Sequence, residues 1–185
     1  MDLKKLRDDF PALCEEHPVA YLDNACVTLR PQSVINAISD YYTKTPGCGG
    51  RSVHRYGTTV SRTIAQSRRT LSGFFNAPSV NEIVFTRNAT HSLNQVAKGL
   101  SWEKDDIVLT TDREHNSNLV PWLQLEEEQG VDHRVVPSNP DNTFDLEAFE
   151  SMCSEAGSKL RLVSISQVGN LDGIQSPIRE ITKIA

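Results

Sequence analysis

No apolar run in this 185-residue chain approaches the roughly 20 residues that a membrane-spanning helix needs. The first sixteen residues, MDLKKLRDDFPALCEE, alternate charge with single apolar side chains and lack a continuous apolar segment, so they do not read as a secretory signal. Basic charge is not in excess: the net charge is −5, which argues against nucleic acid as a partner, since phosphate binding wants a basic surface. Cysteine is sparse. Cys14, Cys26, Cys48 and Cys153 are irregularly spaced and form no C-x-x-C pair, which argues against a zinc knuckle. With no secretory signal expected, the thiols are read as reduced and the chain as cytoplasmic. Repeats and low-complexity tracts are also missing.

What is present is a soluble globular composition, 38% hydrophobic and 23% charged. Residues 3–10 suggest a short leading helix. VAYLDNACVTL reads as extended and ends at Arg30-Pro31. PQSVINAISDYY reads as a helix with Pro31 at its start and Val34, Ile35, Ile38 and Tyr42 on one side. A glycine-rich loop, TPGCGGRS, precedes a second helix in TVSRTIAQSRRTLSGFFNA, where Ile64, Leu71 and Phe75 recur at helical spacing. Then an alternation sets in. Strands are expected at 82–86, 106–110, in DHRVVP and at 160–166. Helices are expected in ATHSLNQVAKGL, LVPWLQLEEEQG (closed by Gly130), DLEAFESMCSEA and PIREITKIA. Short apolar strands alternating with helices imply an α/β fold: a mostly parallel sheet with helices on both faces. Ligands of such sheets sit beyond the carboxyl ends of the strands.

The strand ends therefore carry the functional reading. After EIVFT comes RNATHSLN, where Asn88 and Thr90 offer cap chemistry. The helix N-terminus there suits a phosphate, or is an ordinary cap that binds nothing. After DIVLT comes TDREHNSNLVPW. Glu114 and His115 lack partners at metal-ligand spacing, so no metal is assigned; His115 is either a satisfied polar group or an imidazole lying flat on an aromatic ligand. Asn116 and Ser117 are candidate caps for the next helix. After LRLVSIS comes QVGNLDG, where Asn170 is either a ligand-binding amide or a turn residue and Asp172 shapes the turn. A phosphate cradle, a flat ring and an amide at successive strand ends together outline a small phosphorylated aromatic cofactor.

In order along the chain, YLDNACVTLRPQSVINAISDYY, RSVHRYGTTVSRTIAQSRRTLSGFFNA, EIVFTRNATHSLNQVAKGL, REHNSNLVPW and VGNLDGIQSPIREITKIA resemble the N-terminal half of the class V aminotransferase family, most closely its cysteine desulfurases. The resemblance runs from about Tyr21. It implies an incomplete large domain of the type I pyridoxal-phosphate-dependent transferase fold, with residues 1–20 as an N-terminal arm or helix and 21–185 as the N-terminal part of the large domain. It implies pyridoxal 5′-phosphate as cofactor, with Ala89 and Thr90 at its phosphate, His115 stacked on its ring and giving acid/base help, and Asn170 near its phenolic oxygen and the substrate carboxylate. His54 and Arg55 match a VHR segment near the active site, a substrate-binding role whose alternative is a solvated loop.

The implied activity is sulfur transfer from L-cysteine, with a sulfur-acceptor protein as a partner and a homodimer as the full-length state. Alternatives are another class V aminotransferase or lyase reaction, or a non-catalytic remnant or subunit completed by another chain. Three departures stand out. Ala89 replaces a second hydroxyl carried by many relatives, Asn170-Leu171-Asp172-Gly173 differs from the commoner turn, and Cys26 replaces a small residue and reads as a small buried thiol. The resemblance also implies a Schiff-base lysine. Lys4, Lys5, Lys44, Lys98, Lys104, Lys159 and Lys183 match no such context, so this chain is expected to be inactive alone.

Overall fold

The computed structural model describes residues 2–13 and 19–185; Cys14 lies outside the described residues. The chain divides into two compact units, residues 1–85 and 86–185.

The first unit is helical. The short leading helix α1 (Leu3–Asp8) is capped by the Asp2 carboxylate, which accepts from the backbone N–H groups of Lys4 and Lys5. The extended reading of VAYLDNACVTL is corrected: the segment forms no strand and turns at 24–26. The Tyr21 hydroxyl sits inside this bend and hydrogen-bonds the Val27 carbonyl at 2.5 Å. Cys26 stands exposed on the turn, not buried as expected. Helix α2 (Gln32–Lys44) begins just after Pro31, whose missing N–H costs nothing at a helix start. Helix α3 (Arg55–Phe74) is capped by His54, whose Nδ1 accepts from the Gly57 N–H.

Gly57 is a close-approach position. A Cβ there would come within 2.5 Å of the Ser52 Cβ and 2.7 Å of the Ser52 carbonyl oxygen, so the loop before α3 can fold back only onto glycine. Among the described residues of this unit, no apolar side chain is fully buried; Val34, Ile35, Ile38 and Tyr42 of α2 are all exposed.

The second unit holds the parallel sheet. Strand β1 (Ile107–Thr111) is central, flanked by β2 (Asp132–Val136) and β3 (Leu160–Val163), both parallel to it. Every residue of β1 is buried. Its side chains alternate as a strand requires. Ile107 and Leu109 join Val136, Phe149, Ala156 and Ile181 in one core, and Val108 joins Ala97, Trp122, Leu125 and Val131 in a second. The first core draws on α6 (Leu146–Ala156) and α7 (Ile178–Ile184), the second on α4 (Ala89–Gly99) and α5 (Val120–Gln129). Two apolar faces with helices on each make the α/β layering expected from the strand–helix alternation.

Residues 82–86 are a second correction. A single 3-10 turn (Val80–Glu82) leads into an extended segment that is not a strand. Its apolar pattern suits a sheet, but a strand is defined by a hydrogen-bonded neighbour, and among the described residues none pairs with it. The Arg68 guanidinium instead donates to the Ile83 carbonyl at 3.2 Å and lies over the Phe85 ring.

The two sheet edges differ. β2 carries Asp132, His133 and Arg134, charge and polarity that blunt an edge, whereas β3 reads Leu-Arg-Leu-Val. The chain in isolation is expected to self-associate through the β3 edge as concentration rises; a monodisperse monomer by light scattering would contradict this.

His133 introduces a pH dependence. Its Nε2 lies 2.8 Å from the hydroxyl of Thr110, which is fully buried on β1. Burial lowers the His133 pKa, against the raising fields of Glu126 and Asp132. The unfolded chain therefore binds this proton more readily than the folded one. The contribution is complete above the ordinary imidazole value of about 6.5 and is lost as pH falls from there. Urea midpoints should drop as pH goes from about 7 to about 5, and His133→Gln should flatten that part of the slope.

Candidate functional site

The loops beyond the carboxyl ends of β1 and β3 are tied by one carboxylate. Oε1 of Glu114 accepts from the Thr111 hydroxyl at 2.9 Å and from the Ser166 N–H at 2.9 Å. Oε2 accepts from the Asn118 amide at 2.8 Å and from the Ser166 hydroxyl at 2.6 Å. Four donors from three residues meet the acceptor capacity of an ionised carboxylate. Asn118, itself buried, extends the brace. Its amide also donates to the Ser164 carbonyl, while its oxygen accepts from the Trp122 indole N–H and the Ser164 hydroxyl. No polar side-chain atom buried among the described residues is left without a partner.

A second tie joins the same loops farther out. The Arg113 guanidinium pairs with the Asp172 carboxylate and donates to Asn142 at 2.9 Å. The Ile174 N–H donates to the other Asp172 oxygen at 3.0 Å. That amide and then Arg113 hold the Asp172 carboxyl below the usual carboxylate range. Asp172 closes the turn bearing Asn170, in which the Gly169 N–H donates to the Ile174 carbonyl and the Gly173 N–H to the Gly169 carbonyl. Gly173 has φ +72°, a conformation that favours glycine.

Between these ties stands His115. It caps the 3-10 turn Asn116–Asn118, and its Nδ1 accepts from the Ser117 N–H at 3.0 Å. The caps expected of Asn116 and Ser117 are not made to α5, whose start has no side-chain cap. The 116–118 turn packs against α4. At the start of α4, Asn88 accepts from the His91 N–H, and Ala89 and Thr90 stand exposed in the first turn. An imidazole, a helix N-terminus and the Asn170 turn are therefore carried on connected elements of the second unit. Ala89, Thr90, His115 and Asn170 are all exposed. His54 and Arg55 are exposed at the start of α3 in the first unit.

A small pocket at the strand ends is lined by Thr111, Glu114, Phe144, Ser166, Asp172 and Ile174 among others, and none of the six sequence-predicted site residues lines it. Apart from Asp172, taken for a turn residue, its residues escape the sequence reading, which weighs Glu114 only as a metal ligand. The available signal was VSIS: Ser164 and Ser166 recur at strand period inside an apolar run, so two hydroxyls had to find polar partners.

The fold and strand ends define a class of protein, and comparison with known proteins agrees. The family model for class V aminotransferases matches residues 20–185, and the chain belongs to that family. It is 34% identical to a cysteine desulfurase of Shigella sonnei over 98% of its length and 35% identical to a probable cysteine desulfurase of Synechocystis over 97%, covering 45% and 44% of those proteins. Among solved structures it is similar to the apo cysteine desulfurase of Thermococcus onnurineus, with TM-score 0.88, 32% identity, and coverage of 98% of this chain and 44% of that one. It is also similar to the cystine C–S lyase C-DES bound to its product cysteine persulfide, with TM-score 0.78, 26% identity, and coverage of 95% and 44%. The chain thus spans under half the length of the relatives it matches.

Glu114→Gln keeps the shape but turns an NH2 group toward hydrogen-bond donors. It should cost about 1–3 kcal/mol in urea unfolding followed by the fluorescence of Trp102 and Trp122. Asp172→Asn should leave global stability nearly unchanged while speeding amide exchange in residues 169–174, a local opening.

Proposed function

We propose that residues 21–185 are the N-terminal part of the cofactor-binding domain of a pyridoxal-phosphate-dependent cysteine desulfurase, with residues 1–20 as an arm. The observation that carries this reading is the tying of the His115 loop to the Asn170 turn, with α4 packed against the His115 turn, at the carboxyl side of a parallel sheet. The donor set fits the group. Asn88 caps only the His91 N–H, so the amides of Ala89 and Thr90 and the Thr90 hydroxyl remain for a phosphate at the positive end of α4. Bound there, pyridoxal phosphate would supply the electron sink for bond breaking at an amino acid.

The chain's own residues bind and orient. Thr90 and the α4 amides would hold the phosphate, Ala89 through its backbone only. His115 would take the ring and give acid/base help. Asn170 would bond the phenolic oxygen and the substrate carboxylate, and His54 and Arg55, in the first unit, would be candidates for substrate contact. Sulfur from L-cysteine would pass to an acceptor protein, the full-length enzyme acting as a homodimer. No lysine of this chain matches the Schiff-base position, so the lysine would come from sequence outside it. Similarity to the C–S lyase favours a second reading in which the same site serves lyase chemistry.

Pyridoxal phosphate should bind the isolated chain reversibly, and borohydride should fix it stoichiometrically to no single lysine, leaving only scattered labelling of exposed amines. Thr90→Val should weaken binding about tenfold or more, the value of a hydrogen bond to a charged group. Absence of binding, or binding indifferent to Thr90, would sink the site assignment. Mixing the chain with the C-terminal half of a homologous desulfurase and measuring sulfide release from cysteine tests the activity.

A further inference from the structure

We infer that the turn Asn116–Asn118 locks neutral His115 as the Nε2–H tautomer, with Ser117 as the positioning residue, so that the ring presents a donor edge. Two donors converge on Nδ1. The Ser117 N–H reaches it at 3.0 Å, and the Ser117 hydroxyl lies 2.8 Å away. A backbone N–H can only donate, so Nδ1 must offer its lone pair and the ring proton resides on Nε2. The hydroxyl follows by rotating its hydrogen toward the ring.

The alternative tautomer has a structural cost. A proton on Nδ1 would face the Ser117 N–H, break the cap of the 3-10 turn and orphan one of its amides. That turn is not free to rearrange. Asn118, at its end, is held by Glu114, Ser164 and Trp122. Glu114, immediately before His115, is held by Ser166. Both flanks of the histidine are thus anchored to β3-side backbone or to core, and Nε2 has no protein partner among the described residues. Its N–H is the edge left for a ligand. This deepens the proposed cofactor site and, for the role of the ring there, rests on that reading: resting neutral His115 donates a hydrogen bond from Nε2, and accepting one there first requires the 116–118 turn to open.

The test needs no cofactor. The full chain is labelled with 15N-histidine and its two-bond 15N–1H correlations are recorded well above the ordinary imidazole range, with His115 assigned by loss of its signals in His115→Gln. The expected result is two fully separated nitrogens, Nδ1 unprotonated and Nε2 protonated. Averaged shifts, or a proton on Nδ1, would overturn the inference. Ser117→Ala, which keeps the backbone donor, should leave the proton on Nε2. Ser117→Pro removes both the N–H and the hydroxyl and should release the lock, giving averaged shifts or a proton on Nδ1. A proline variant that folds with Nε2 still fully protonated counts against the proposal; should it not fold, the wild-type and alanine spectra decide. Pyridoxal phosphate added to a parallel sample tests the pocket separately: failure to perturb the assigned His115 signals removes the cofactor reading and leaves the tautomer standing.

Discussion

The Glu114 carboxylate takes hydrogen bonds from both sides of the gap between β1 and β3, and the loops beyond the sheet hold one geometry because it does. Thr111 is the last residue of β1, and Ser166 follows β3 by three residues. A parallel pair cannot be joined by a tight turn, so nothing covalent and local fixes how the two strands end relative to one another. The backbone ladder sets the register of the strands themselves, and beyond its end Glu114 with Asn118 holds the following loops together using backbone and hydroxyl donors. Removing either partner leaves several polar groups unpaired, which is why the brace costs more to break than to lack.

The same logic explains the contrast between the units. In residues 86–185, β1 is buried on both faces and α4, α5, α6 and α7 each place at least one residue in a core built on it. Among the described residues of 1–85 there is no strand, and the apolar side chains of α2 and α3 remain at least partly exposed. Helices without a sheet or a bundle partner keep their stripes in water, whatever their propensity. The amphipathic pattern of Val34, Ile35, Ile38 and Tyr42 is real as a helix signal, yet it does not say which surface it meets.

That distinction sets what was legible in the sequence. Periodicity identified the helices and three of the four expected strands, because local hydrophobic alternation and caps such as Asn88 and Asp145 are encoded within a few residues. It placed a strand at 82–86, where the required neighbour is a nonlocal property that no window of sequence contains. Cys26 differs from expectation for a related reason: a thiol in place of a small residue reads as buried, but the chain turns there and leaves it exposed. Among the site residues, strand ends point to Thr90, His115 and Asn170, and Ala89 comes only from the family resemblance. The couplings between those loops, Glu114 to Ser166 and Arg113 to Asp172, span 52 and 59 residues and had no local signature beyond the two serines in VSIS.

Asp172 shows how a local rule and a distant contact can share one residue. Its side chain closes the Asn170 turn by accepting from Ile174, as a turn aspartate does. Its second oxygen pairs with Arg113, two residues before His115. An aspartate selected only to shape a turn would leave that oxygen to solvent. Spending it on Arg113 makes the position of the Asn170 turn depend on the His115 loop, so a change at either loop is felt at the other. Glu114 does the same one residue nearer the histidine, from the sheet side. The ring is thereby fixed from its two neighbours, Glu114 and the Ser117 cap, before any ligand arrives, and preorganisation of that kind lowers the ordering cost that binding would otherwise carry.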